Sequence, residues 1–152
     1  MTRRKKIILG LICAKTFLFG SSPFLYLALL FGPQAQFFSI DPWPRTQDQT
    51  PGRRIGGQYR IIDEAPLDPL DRVALAGALF IGDLSDLIIF HAACFDPRHA
   101  LRVTGFDVAV CVHCGGIVRW SITGESYTGI GPLGGPVWEW VRKRHNLKPP
   151  DH

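Results

Sequence analysis

Two long apolar stretches dominate the pattern of hydrophobic and polar positions along the chain. The first, residues 7–32, reads IILGLICAKTFLFGSSPFLYLALLFG and contains a single charge, Lys15. Because about 20 apolar residues are enough to cross a bilayer core, this stretch predicts a transmembrane helix. A cleaved signal peptide is the alternative, but the stretch is longer than a usual signal core and Pro33 occupies the candidate cleavage site. We therefore expect an uncleaved anchor whose basic tip, residues 3–6, stays in the cytoplasm.

The second stretch, residues 73–95, reads VALAGALFIGDLSDLIIFHAACF. Before it, Asp68 and Pro69 have the character of a helix N-cap and a first-turn proline. A helix over residues 69–96 would be roughly 40 Å long, which is enough to span a membrane. The pattern therefore predicts a second transmembrane helix that returns the chain to the cytoplasm.

Acidic residues inside the second stretch need a partner or a wet surface. In an antiparallel hairpin Asp86 would lie level with Lys15, so the two charges could form an intramembrane ion pair. The alternative is an amphipathic helix lying on a membrane or in a soluble domain, with Asp83 and Asp86 on its wet face.

Together these patterns predict a mainly α membrane protein, built on an antiparallel two-helix transmembrane hairpin that carries a small Cys-rich β-hairpin module. Basic residues concentrate at the N-terminal tip and in the tail, which predicts that both ends lie in the cytoplasm and the protein in the cell (inner) membrane. The expected segments are an anchor (1–32), an extracytoplasmic Pro/Gly-rich loop (33–68), a second helix (69–96) and a Cys-x-x-Cys module with a basic aromatic tail (97–152).

The overall charge and composition limit the classes of binding partner that the sequence predicts. The net charge is +4 and 46% of the residues are hydrophobic. The basic residues of the chain form short clusters near apolar segments. They do not form a stripe interleaved with aromatic residues, so no nucleic-acid partner is expected. The expected partners are the lipid bilayer and other membrane protein subunits. In the tail, a glycine-rich loop (121–136) precedes a short predicted helix (136–147) that combines tryptophan with arginine and lysine.

A cluster of cysteine and histidine is the main candidate for chemistry. Strand-like runs flank Cys111-x-x-Cys114, and two glycines follow it, which predicts a β-hairpin turn of the zinc-knuckle type. An upstream His-x-x-Cys pair would complete a closed tetrahedral zinc site of the structural kind. The predicted ligands are His91, Cys94, Cys111 and Cys114, with His99 and His113 as alternative ligands.

The same cysteines allow two other interpretations. His113 lies between two thiols and could activate one as a thiolate, so Cys111 and Cys114 could form the dithiol of a membrane-linked thiol–disulfide oxidoreductase. Alternatively, the cysteines are buried apolar residues in a structural subunit of a larger membrane complex that holds no metal. The leading hypothesis is a non-enzymatic accessory subunit or adaptor with a structural zinc site.

Residues 85–120 resemble part of the DUF2085 family, which comprises small uncharacterised membrane proteins. The matching positions are Cys94, Pro97, Arg98, Cys111, Cys114 and Gly116. Phe95 stands where the family has histidine, and His113 stands where it has arginine. The resemblance implies a membrane protein with a metal or thiol site, and it implies no particular activity.

Overall fold

The computed structural model describes residues 23–42, 53–85, 96–113, 115–122, 124–129 and 134–149. These residues form seven β-strands and three α-helices. The elements are α1 (Pro23–Phe31), β1 (Ala35–Ile40), β2 (Arg54–Ile55), β3 (Tyr59–Pro66), α2 (Pro69–Ser85), β4 (His99–Val103), β5 (Phe106–Cys111), β6 (Gly116–Ser121), β7 (Gly124–Gly129) and α3 (Gly134–Arg144).

All seven strands belong to one antiparallel sheet with the order β2-β3-β1-β4-β5-β6-β7. Strands β4 to β7 follow one another as neighbours, whereas β1 lies between β3 and β4 and pairs with both. In the β4–β5 turn, Gly105 adopts a φ of +80°, a conformation that favours glycine. The chain is thus mainly a curved sheet, and its helices are additions to that sheet.

The three helices cover one face of the sheet. Successive strand residues point to opposite faces, so Phe37 faces the helices while Phe38 faces the other side. On the helix side, Leu25, Leu75 and Trp138 are fully buried against the strands. Phe37 packs against Trp138 with ring centroids 5.5 Å apart.

The other face of the sheet has a smaller core of its own. Ile55, in the short strand β2, is fully buried with Phe38 and Val118. The β2–β3 turn also contacts β5, because the Gly56 N–H donates to Asp107 at 2.9 Å. The sheet therefore buries apolar side chains on both faces.

Helix α2 begins where the sequence predicted a helix start. The Asp68 carboxylate accepts the backbone N–H groups of Leu70 at 2.8 Å and Asp71 at 2.9 Å. An N-cap of this kind satisfies backbone donors that have no partner inside the helix. The N-cap prediction is confirmed.

The predicted transmembrane hairpin and mainly α fold were wrong. Within the described ranges, no helix is long and apolar enough to cross a membrane. Helix α1 has nine residues and α2 has seventeen, and both place apolar side chains against the sheet. The buried apolar side chains of both helices therefore reflect sheet packing. The proposed Lys15–Asp86 pair lies outside the described residues.

Segments predicted as loops contain most of the sheet. The expected Pro/Gly-rich loop 33–68 contributes β1, β2 and β3, and the expected loop 121–136 contributes β7. The short helix expected at 136–147 is present as α3, which begins and ends slightly earlier. Strand β1 was missed because it is buried on both faces, which obscures polar–apolar alternation. Strand β2 has only two residues, and β7 is largely exposed and has no apolar run.

Candidate functional site

The β5–β6 hairpin around the cysteine motif was predicted correctly. Strand β5 ends at Cys111, which pairs with Gly116 at the start of β6, and Gly115 has a φ of +68°. Cys111 is fully buried and disulfide-bonded. The other predicted ligands His91, Cys94 and Cys114 lie outside the described residues.

The prediction that this is a metal-binding protein is contradicted in the part of the chain that the structure describes. Among those residues, no three His, Cys, Asp or Glu side chains are grouped as metal ligands would be. The sulfur of Cys111 is used by the disulfide, and His99 is held by Glu139. His113 is exposed in the β5–β6 turn.

His99 lies under α3 in a buried polar arrangement that the sequence did not reveal. Its Nε2 is 2.8 Å from Glu139 Oε1, and Arg142 Nε donates to the other carboxylate oxygen at 3.0 Å. Burial lowers the pKa of His99 in spite of the opposing effect of Glu139. A neutral ring then donates from Nε2 and leaves Nδ1 as an acceptor. Directly opposite on β1 is Ser39; its Oγ and His99 Nδ1 are both buried and have no hydrogen-bond partner among the described residues.

A buried ionic cluster joins two helices to the sheet. Arg119 on β6 donates to Asp83 on α2, and the Tyr26 hydroxyl on α1 donates to the second oxygen of the same carboxylate. All three residues are buried. Burial, and then the neighbouring Asp83 charge, raise the pKa of Tyr26 well above its usual value. Asp83 is therefore not on a wet helix face, so this part of the alternative interpretation of the second stretch was wrong; Asp86 lies outside the described residues.

An open groove lies at the end of the sheet where β4, β5 and β6 meet. Its cavity volume is about 300 Å³. We call it the strand-end groove; it is lined by Arg102, Val103, Gly105, Phe106, Asp107, Trp120 and Ser121. Aromatic side chains and a few polar groups in a concave surface are typical of ligand sites.

Arg102 is fixed in this groove by a fork of hydrogen bonds. Its Nε donates to Asp107 Oδ1 at 2.7 Å, and its Nη2 donates to Oδ2 at 2.9 Å. Nη2 also donates to the carbonyl oxygen of Arg54 at 2.6 Å. These hydrogen bonds to the Asp107 carboxylate raise the pKa of Arg102. Its Nη1 has no acceptor among the residues that the structure describes, so donors remain for a ligand.

Trp120 forms a fixed aromatic wall of the groove. Its Nε1 donates to Glu125 at 2.8 Å, and the ring of Tyr59 lies 6.0 Å away. Gly56 lies directly against the indole, with a φ of +56°, and a Cβ there would overlap three ring carbons. Only glycine allows the β2–β3 turn to approach so closely.

Comparison with known proteins yields no match to a protein-family model, a curated protein or a solved structure. The resemblance to the DUF2085 family therefore stays a prediction, and the site has to be assigned from its geometry.

The sequence contained a usable signal for this groove. Arg102 and Asp107 flank the Thr104-Gly105 pair, so a hairpin there places the two charges opposite each other. The roles of Trp120 and Gly56 depend on a contact between distant segments, which local pattern does not predict.

Proposed function

We propose that this protein is a non-catalytic accessory module that binds a small ligand, or a short segment of a partner, in the strand-end groove. The observation that carries the proposal is the rigid Arg102–Asp107 fork beside the aromatic wall of Trp120. Side chains that are held in place by their neighbours before binding lose little conformational entropy when a ligand binds.

The groove favours a particular ligand chemistry. Arg102 and Asp107 cancel each other's charge, so the pair attracts neither anions nor cations strongly at long range. The remaining guanidinium N–H groups fit an oxygen acceptor such as a carbonyl, hydroxyl or carboxylate. Trp120 fits a flat apolar body attached to that acceptor, whereas Phe106 packs toward the helix side of the sheet. The expected ligand thus combines a planar apolar group with an oxygen acceptor.

The disulfide of Cys111 supports a stabilising role more than a redox activity. Reactive cysteines are partly exposed in an electropositive environment, whereas Cys111 is fully buried at the end of β5. A buried disulfide constrains the unfolded chain and so stabilises the fold. Among the functions expected from the sequence, an accessory module therefore fits the geometry better than a thiol–disulfide oxidoreductase.

A matched set of small probes tests the proposed groove. Benzamide and benzoate carry an oxygen acceptor on a ring, whereas benzylammonium carries a cationic donor on the same ring. We expect saturable quenching of tryptophan fluorescence by the first two probes and none by benzylammonium. The substitution Arg102→Lys keeps the charge but removes the planar fork, so it should weaken binding by about tenfold or more.

Arg53→Lys is the matched control, because Arg53 also pairs with a carboxylate, Glu64, at 2.7 Å, but lies on an exposed surface. Its binding should equal that of the natural chain. The proposal is refuted if all three probes quench alike, if none of them binds, or if Arg102→Lys binds as well as Arg53→Lys.

A further inference from the structure

The two oxygens of the Asp107 carboxylate in the strand-end groove are used unequally. Oδ2 accepts two hydrogen bonds, from Arg102 Nη2 at 2.9 Å and from the backbone N–H of Gly56 at 2.9 Å. Oδ1 accepts one, from Arg102 Nε at 2.7 Å. An ionised carboxylate has about four lone-pair sites, two on each oxygen. Among the residues that the structure describes, Oδ1 therefore keeps one acceptor site for a ligand.

The Asp107 carboxylate borders the open part of the groove. Asp107 is one of the lining residues, and 17% of its side chain is exposed. Gly105, two residues before it, also lines the groove, and open space surrounds the position that a Cβ would occupy there. A ligand can thus approach the carboxylate without displacing a side chain of the β4–β5 turn.

Arg102 supplies the donors that complement this acceptor. Its Nε and Nη2 are used by Asp107 and by the carbonyl oxygen of Arg54, which leaves the N–H groups of Nη1. The guanidinium also lies over the ring of Phe38, 5.7 Å from the ring centre. The groove therefore presents fixed donors on Arg102 and a fixed acceptor on Asp107, with the indole of Trp120 as a third wall.

A donor and an acceptor in one groove favour a ligand that carries both. A ligand that covers the groove removes water from Asp107 Oδ1, and a charged acceptor that gains no donor in exchange is destabilised. A ligand carboxylate offers no donor and is repelled by the Asp107 charge, whereas an ammonium group is repelled by Arg102. A neutral amide offers a carbonyl oxygen to Arg102 and an N–H to Asp107.

We propose that the strand-end groove is a binding site for a neutral planar amide, namely an aromatic or heteroaromatic carboxamide or lactam. The amide oxygen accepts a hydrogen bond from Arg102, the amide N–H donates to Asp107 Oδ1, and the ring packs on Trp120. This inference rests on the proposed function, because it names the ligand class of the same groove. Benzoate is then the weaker of the two acceptor-bearing probes described above.

The isosteric pair benzamide and acetophenone tests the inference. Both molecules carry a carbonyl group on the same ring, and they differ only in an NH2 or a CH3 group beside it. Titrations of the natural chain are followed by the NMR signal of the Trp120 indole N–H. We expect benzamide to bind about tenfold or more tightly than acetophenone, and more tightly than benzoate, because only benzamide donates to the charged Asp107 oxygen.

Asp107→Asn tests the role of the carboxylate. The Oδ2 position has to accept two N–H groups, so the new NH2 group takes the Oδ1 position and the acceptor there is lost. The affinity ratio of benzamide to acetophenone should fall to about one. Asp63→Asn is the matched control, because Asp63 also accepts a backbone N–H, that of Lys148 at 3.0 Å, but lies on β3 outside the groove. It should keep the ratio of the natural chain.

The possible outcomes separate this inference from the proposed function. Equal affinities of the natural chain for benzamide and acetophenone would overturn the amide assignment and leave the proposed function intact, since a ring with an oxygen acceptor would still bind. An undiminished preference for benzamide in Asp107→Asn would also overturn it. If no probe binds, the proposed function fails and the amide assignment fails with it. The ratio in the natural chain needs no substitution, so it decides the question even if Asp107→Asn does not fold.

Discussion

The buried pair Asp83–Arg119 allows the sharpest test of how the helices are attached to the sheet. The substitution Arg119→Met keeps an unbranched side chain of similar length and removes the charge. Asp83 then stays buried with the Tyr26 hydroxyl but without its cation. Breaking one side of a buried ion pair costs about 3–5 kcal/mol of unfolding free energy.

This cost translates into a large shift of the melting temperature. For a chain of this size each kcal/mol corresponds to about 2–4 °C, so Arg119→Met should melt about 6–20 °C lower. Urea denaturation followed by circular dichroism measures the free energy, and the slope of its urea dependence shows whether the unfolding stays two-state.

An exposed ion pair provides the control for charge removal as such. Arg53 and Glu64 are also in contact, but their side chains are 55% and 39% exposed. Arg53→Met should therefore cost less than about 1 kcal/mol. If Arg53→Met and Arg119→Met lower the unfolding free energy equally, burial does not determine how much an ion pair contributes to stability in this protein.

A comparison of the single variants with their combination tests the pairing itself. Adding Asp83→Leu to Arg119→Met removes the uncompensated charge, and adding Tyr26→Phe removes the hydroxyl that loses this acceptor. Replacing a buried ion pair by apolar residues is often close to neutral, so the combined variant should be more stable than Arg119→Met alone. Strictly additive losses would refute the reasoning.

Two further predictions concern His99 and Gly56. Because burial lowers the pKa of His99, the unfolded chain binds the extra proton first, and stability should fall as the pH drops below about 6.5. His99→Gln should remove this dependence between pH 6.5 and 5, whereas the exposed His113→Gln should not; equal slopes in denaturation curves across that range would contradict the assignment. Gly56→Ala should cost about 1–3 kcal/mol, because the methyl group would overlap Trp120. Gly57→Ala, at a φ of +72° with open space around it, should cost only about 1 kcal/mol in thermal unfolding, and equal losses would show that the Trp120 contact is unimportant.

Features with a local cause could be predicted from the sequence. The N-cap at Asp68 depends on residues within one helical turn, and the β5–β6 hairpin depends on glycines beside a strand-like run. Both predictions are confirmed. The helix in the tail was also predicted, because Pro136 and the residues after it favour a helix.

The predicted membrane hairpin was wrong where the structure describes it, because residues 23–31 and 73–85 belong to helices that pack against a sheet. Hydrophobicity measures how unfavourable the exposure of a segment to water is. Packing against a sheet removes apolar surface from water just as burial in a bilayer does. The partner of Asp83 illustrates the limit. We expected Asp83 on a wet face or inside a membrane, whereas its cation, Arg119, lies 36 residues away in a different strand. No local pattern encodes such a pair.

The candidate site was only partly predictable for the same reason. His99 was considered as a metal ligand because histidine and cysteine cluster near it in sequence. The fold instead places Glu139 from α3 against its ring, 40 residues away. The β2–β3 turn lies against Trp120 of the strand-end groove although four strands separate β2 from β6 in the sheet, and no local sequence pattern predicts such a contact.

The central place of β1 in the sheet has a consequence for how the chain acquires its structure. Both neighbours of β1, β3 and β4, follow it in the sequence, and β4 begins only at His99. During synthesis β1 therefore leaves the ribosome long before its second edge can be paired. Contacts between distant segments slow folding, and an unpaired apolar strand invites association with other chains. The sheet should thus be unable to form completely until β4 has been synthesised. Shortened nascent chains that end before His99 should depend on chaperones to stay soluble.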